Sequence, residues 1–162
     1  MSQKRINKDH YYINLASDLC QRSTCLRRKF GALIVNNDEI IATGYNGAPR
    51  KTKSSLDHGW CWREQHKIPH GKNYEMCRSV HAEMNAIISA ARRDMIRGTI
   101  YVAGENADGT CCDAFPCVVC VRLIINAGIE RLLYRAKDGT LKEEFPQKEW
   151  KDDEFIVVGK YK

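Results

Sequence analysis

Thr99 to Tyr134 reads TIYVAGENADGTCCDAFPCVVCVRLIINAGIERLLY, and its three apolar segments decide the fold class. Thr99 to Ala103 is rich in β-branched and aromatic residues, which suit a pleated strand. Val118 to Ala127 keeps apolar residues at helical spacing and stops at Gly128, a residue type that tolerates the left-handed turn after a helix. Arg131 to Tyr134 returns to strand character. Two neighbouring strands joined through a helix run parallel, because the crossover carries the chain back to the starting edge.

Working outward, Phe30 to Val35 and Glu39 to Thr43 flank the turn-forming residues Asn36-Asn37-Asp38 and predict an antiparallel hairpin. Tyr12, Ile13, Leu15, Ala16, Leu19 and Cys20 give the segment from Ile6 to about Thr24 a helical apolar face. Ala82 to Arg93 predicts a second helix, and Phe155 to Val158 a last strand. These elements predict an α/β fold, a three-layer α/β/α sandwich with a mixed sheet of about five strands. Ala48 to Ser79, with Pro49, Pro69, Gly59 and Gly71, shows no sustained period. A loop that long needs a metal, a ligand or a short helix to order it.

The length of 162 residues suits one domain with a real core and is short for two. One domain is expected over 1–162, with its core at 6–135 and a charged tail at 136–162 that carries Trp150. Apolar residues at 43% and charged residues at 28% exclude a disordered or fibrous chain. No apolar run approaches the roughly 20 residues that cross a bilayer. Met1 to His10 is polar, without the apolar segment of a secretory signal, so a cytoplasmic location is expected. In that reducing compartment eight cysteines point to metal ligands or buried thiols rather than disulfides. The formal net charge of +6 favours anionic partners, and a small phosphate-bearing molecule suffices.

Two short motifs sit where helices begin: His81-Ala82-Glu83 and Pro116-Cys117-Val118-Val119-Cys120. Cys117 and Cys120 are three apart, so on one helical turn both sulfurs face the same side and can share a metal. Pro116 suits a first-turn position, whose N–H has no intrahelical partner. The helix dipole favours thiolate, the form that binds metal. One imidazole and two thiolates make three zinc ligands, and the open fourth position distinguishes a catalytic zinc from a structural one. Water at such a metal has its pKa lowered from about 15.7 to roughly 7. Glu83, two residues beyond His81, reaches that water without ligating the metal and is the candidate proton carrier. The plainer alternative is a solvated helix start beside two packed small thiols.

His-x-Glu followed by Pro-Cys-x-x-Cys is the signature of the zinc nucleobase deaminases, whose glutamate is general acid and base. With Cys25-Leu26-Arg27-Arg28-Lys29, Gly44-Tyr45-Asn46-Gly47-Ala48-Pro49, His81 to Ile87 and Ile124 to Ile129, most of Cys20 to Arg135 resembles the deoxycytidylate (dCMP) deaminase family. The resemblance implies that His81, Cys117 and Cys120 hold Zn2+ and that Glu83 shuttles protons. It also implies that Asn46 bonds a sugar hydroxyl from the end of the second strand, and that the Ala82 backbone N–H faces the ring carbonyl. The implied reaction is hydrolysis of dCMP to dUMP and ammonia, supplying dUMP for thymidylate synthesis. A homo-oligomer is implied as well, raised in activity by dCTP and lowered by dTTP, with Gly44 to Gly47 and nearby basic residues at the effector contacts.

Other signals leave two readings open. Asn46 is either that sugar ligand or a turn residue. Arg27, with Arg28, Lys29, Arg50 and Lys51, either meets a phosphate or belongs to a solvated face. Cys25, Cys61, His70 and Cys77 either hold a second, structural zinc, as relatives do in this area, or remain buried thiols and a histidine. Many of those relatives carry a cysteine near Leu56 that is missing here, and a small polar residue where His70 stands. Cys111-Cys112 has no assigned role. The competing functions are a free-nucleoside deaminase, which needs no arginines, and a tRNA adenosine editor, which needs an extended basic surface where this chain has dispersed charges. A non-catalytic zinc-binding module would have no use for Glu83. Neither a membrane nor a nucleic-acid polymer is expected as partner.

Overall fold

The hairpin expected around Asn36 to Asp38 is present in a computed structural model that describes residues 4–159: β1 (Arg28–Asn36) and β2 (Glu39–Tyr45) pair antiparallel. Asn37 and Asp38 turn at φ of 48° and 64°, a left-handed conformation that their short polar side chains tolerate. β3 (Thr99–Asn106) pairs antiparallel with β1 and parallel with β4 (Arg131–Arg135). β5 (Leu141–Glu144) closes the far edge antiparallel to β4, giving the order β2-β1-β3-β4-β5.

Period-two alternation sends the strand residues to two cores. Leu33, Val35, Tyr101, Ala103 and Leu133 meet α1 (Lys8–Leu19) through Tyr12, Ile13 and Ala16. Asp9 of α1 receives both Nη atoms of Arg131 at 2.8 Å and the Tyr101 hydroxyl at 2.7 Å, which locks the helix across β3 and β4. The Arg131 bond, opposed by burial, holds the Asp9 carboxyl below the usual range.

The irregular 48–79 segment contains α2 (Ser55–His58) and α3 (Trp62–Gln65), short helices being one of the three ways its length could be ordered. Beyond it lie α4 (Ala82–Ile88), α5 (Arg92–Met95), α6 (Val118–Ala127) and α7 (Pro146–Glu149). On this face Ala32, Ile34, Ile100, Val102, Leu132 and Tyr134 bury against Ala82 and Ala86 of α4, Val121 and Ile124 of α6, and Trp150. The result is the three-layer α/β/α sandwich. Among the described residues no helix is long and apolar enough to cross a membrane.

Three expectations change. The helix expected over 82–93 breaks after Ile88, where the Ser89 hydroxyl bonds back to the Asn85 carbonyl at 2.8 Å and the backbone tightens to i−3 bonds. The opening helix ends at Leu19 and runs on only as a 3-10 turn over Cys20–Arg22. The strand expected over 155–158 is instead a π-helical turn, Glu154–Val158, and the last edge of the sheet is formed by β5, paired with β4. Within the tail, Trp150 packs into this chain's core: it is 1% exposed and donates its indole N–H to Glu144 at 3.2 Å.

Candidate active site

β2 sets the height of α4 through one missing side chain. A Cβ on Gly44 would lie 2.2 Å from the Ala82 carbonyl oxygen and 2.5 Å from the Ala86 nitrogen, so helix backbone rests directly on strand backbone. Just beyond, Gly47 and Val80 exchange backbone hydrogen bonds of 3.1 and 2.8 Å, which fixes the residue before His81. His81 and Cys117 are the extended N-cap residues of α4 and α6, and Cys120 lies on the first turn of α6. Pro116 consequently stands outside the helix, one residue before the N-cap, and not on the first turn as its sequence position implied. The His81 Nδ1 lies 3.3 Å from Cys117 Sγ and 3.5 Å from Cys120 Sγ.

This cluster is ionisable and largely buried. Cys120 is wholly buried and Glu83 is 6% exposed. A hydrogen bond from the Cys120 thiol and contact with His81 outweigh burial and lower Cys117 to about 4. Donating that bond, together with burial and the nearby Glu83 charge, pushes Cys120 well above its ordinary value. Burial lowers His81, but the Cys117 sulfur and Glu83 raise it further, so its net shift is upward. Desolvation raises Glu83, the Cys117 charge adding to it and His81 opposing.

His81, Glu83 and Cys117 line the floor of a cavity of about 350 Å³, and Cys120 is buried off its lining. Arg27, Arg28, Arg63 and Lys137 line it against two carboxylates, Glu83 and Asp113, so the cavity favours an anion. Asn46 lines it as well, 6% exposed, with its amide plugged into β1: Oδ1 accepts from Phe30 N at 2.7 Å and Nδ2 donates to the Arg28 carbonyl at 2.9 Å. One amide N–H is left over for a ligand. Ala82, also at the wall, is the first residue of α4, whose N–H has no partner inside the helix.

Residues 6–136 match the cytidine and deoxycytidylate deaminase zinc-binding region. The chain belongs to this family. It is 36% identical over 131 residues to the deoxycytidylate deaminase of Mycobacterium phage D29, covering 78% of this chain and 92% of that one. It is 35% identical over 126 residues to the deoxycytidylate deaminase of Schizosaccharomyces pombe, covering 78% of this chain but only 36% of that one. The chain thus spans about a third of the length of the yeast relative. Its fold matches the crystal structure of the apo dCMP deaminase from cyanophage S-TIM5 with a TM-score of 0.58 at 24% identity, over 82% of this chain and 86% of that one.

For a zinc-binding deaminase domain the donor set fits: one nitrogen and two sulfurs of His81, Cys117 and Cys120 all lie within 4.8 Å of one another. Among the described residues they are the one such group, so Cys25, Cys61, His70 and Cys77 line the same cavity without converging on a second metal position. His70 instead lies 3.3 Å from the Arg28 guanidinium, and its burial and the three nearby arginines hold it below its ordinary pKa. Arg27 pairs with Glu64 at 3.4 Å across the rim. Cys112 lines the cavity as a buried thiol pushed up to about 11 by desolvation, while Cys111 pairs by backbone with the end of β3.

Sequence reasoning passed over Arg63, Tyr74, Asp113, Phe115 and Lys137, which come to the cavity from α3 and from segments far apart in the chain and show no spacing signal. Metal retention by the family member is expected to weaken as pH falls. Protons compete at His81 and Cys120, both of which hold a proton to higher pH than usual. Release of zinc to a chelator is expected to be faster at about pH 6 than at about pH 8. Equal rates at both would contradict this proton competition.

Proposed function

We propose that this chain hydrolyses dCMP to dUMP and ammonia, with the buried Glu83 beside His81, Cys117 and Cys120 carrying the reading. Bound zinc would supply the Lewis acid that makes water nucleophilic near neutral pH. Glu83 takes a proton from the attacking water while the water oxygen adds to C4 of cytosine. Its raised proton affinity suits it to hold that proton, deliver it to N3, and transfer a second to the departing amine. The C4–N bond then breaks and the C4 carbonyl forms. The buried carboxylate and the fixed donors act most strongly at the transition state, where C4 is no longer planar.

The Ala82 N–H faces the ring carbonyl, the remaining Asn46 N–H a sugar hydroxyl, and Arg27 and Arg28 the phosphate. The whole chain acts as one deaminase unit, in the cytoplasm, as a homo-oligomer that dCTP activates and dTTP inhibits; family likeness is what supports these wider parts. The test is ammonia release from dCMP, CMP, deoxycytidine, dCTP and a tRNA anticodon stem. The expected kcat/KM for dCMP exceeds that for deoxycytidine by about 100-fold or more, since a site built for phosphate leaves cations uncompensated without it. Equal efficiency on the two would defeat the nucleotide reading, and turnover of the tRNA stem would replace it.

A further inference from the structure

A metal-ligating histidine is ordinarily fixed by a hydrogen bond at its second ring nitrogen. In His81 the Nδ1 nitrogen faces the two sulfurs, and the ring has a further, aromatic neighbour. What touches the ring is Tyr74, edge to face, with centroids 5.5 Å apart and planes at 83°. Such an arrangement sets the positive edge of one ring on the negative face of the other and is worth more than its buried area alone.

Tyr74 is itself held. The Arg63 guanidinium sits 5.5 Å from the centre of its ring, a cation over a π face. Arg63 is 6% exposed and makes no ion pair among the described residues. Its donors go to backbone: Nη1 to the Asn73 carbonyl at 2.7 Å, Nη2 to Pro69 at 2.8 Å and to Lys72 at 2.7 Å. Those three carbonyls belong to the loop that leads into Tyr74, and this loop needs left-handed backbone at Gly71 and Asn73, with φ of 80° and 49°. One planar fork thus gathers the loop and sets its last ring. A lysine could not reproduce it, because an ammonium has no fixed fork.

We propose that Tyr74 and Arg63 are positioning residues for His81: Arg63 shapes the 69–73 loop, and the Tyr74 ring holds the imidazole in the orientation that presents Nδ1 beside Cys117 and Cys120. This rests on the zinc-binding reading of those three residues. It assigns to the irregular 48–79 segment the work of fixing a ligand, separate from lining the cavity. Pro69, Lys72 and Asn73 are exposed, so their carbonyls turn to water when Arg63 is removed and the loop loosens while the sheet stays intact.

The test compares wild type, Tyr74→Leu, Tyr74→Phe and Arg63→Ala as full chains, with zinc affinity by chelator competition and the visible spectrum of the cobalt(II) forms. Tyr74→Leu is expected to weaken metal binding by about 10- to 100-fold and to shift the cobalt bands, the size seen when the group orienting a ligand is lost. Tyr74→Phe keeps the ring and is expected to restore affinity and spectrum. Arg63→Ala is expected to move both in the direction of Tyr74→Leu. Wild-type affinity and spectrum in Tyr74→Leu would overturn the inference, as would a Tyr74→Phe protein that loses as much as Tyr74→Leu. If Tyr74→Leu fails to fold, Arg63→Ala decides alone, and an unchanged spectrum there overturns it. A wild-type chain that binds no metal at all would overturn the proposed function as well, so the two failures are distinct.

Discussion

Glu83→Gln is expected to lower kcat by about 10²- to 10⁴-fold or more while the protein keeps its metal and its fold. The amide matches the carboxylate in size, so the 6% exposed side chain is replaced without a cavity. What disappears is the ability to take a proton from water and return it, a duty the reaction uses more than once. Stability moves the other way. Desolvation raises Glu83, so its charged form costs the folded state free energy at pH values above the unfolded carboxyl value of about 4.3. A neutral amide removes that cost, and the melting temperature near neutral pH is expected to be equal or higher. Metal analysis, a thermal melt and an ammonia assay on one preparation check all three. Loss of zinc in this variant would make Glu83 a ligand and undo its role as proton carrier.

Cys120→Ala is expected to remove metal and activity together. Cys120 is wholly buried, and without its sulfur the set falls to one nitrogen and one thiolate. Two ligands do not hold zinc against a chelator when three are the working number. The clearest readout is linkage. In wild type, zinc at 100 times its dissociation constant is expected to stabilise the fold by about 2.7 kcal/mol, and Cys120→Ala should gain nothing from the same addition. Cys120 itself is a member of neither apolar core, so the variant is expected to fold as the metal-free protein does. A Cys120→Ala protein with full turnover would dismiss the assigned centre.

The parts legible in the sequence are those whose signal is local. The β-branched and aromatic run of Thr99 to Ala103, the helix from Val118 stopped by Gly128, and the return strand from Arg131 all carry their signal in the residues themselves, and the structure reproduces each. His81, Cys117 and Cys120 were equally readable, because helix starts at fixed spacing place donors together without knowledge of loops. β5 was not, since Leu-Lys-Glu-Glu has no apolar alternation and is a strand only because β4 offers it a backbone edge. Phe155 to Val158 has the better strand composition and yet lies in a π-helical turn. Arg63 was invisible for a related reason: its partners are main-chain carbonyls, which every residue possesses. Asn46 stood between turn and ligand because both readings use the same amide, and the fold gives it a third job as a plug in β1.

Kinship and foldability end at different residues in this chain. The family match stops at 136, yet Trp150 lies inside the main core with its ring 5.4 Å from Phe115, which lines the cavity. A chimera cut where similarity fades would leave a hole beneath the binding pocket. Emptying a buried tryptophan site costs about 3–5 kcal/mol, a large part of the roughly 5–15 kcal/mol that keeps a domain folded. The same cut strips β5 from β4 and bares an unpaired strand edge, which is a template for sticking to other chains. Anyone swapping pockets between relatives therefore has to carry the segment through Trp150 along with the recognisable part, and a fragment ending at the boundary of likeness would be expected to precipitate before it could be assayed.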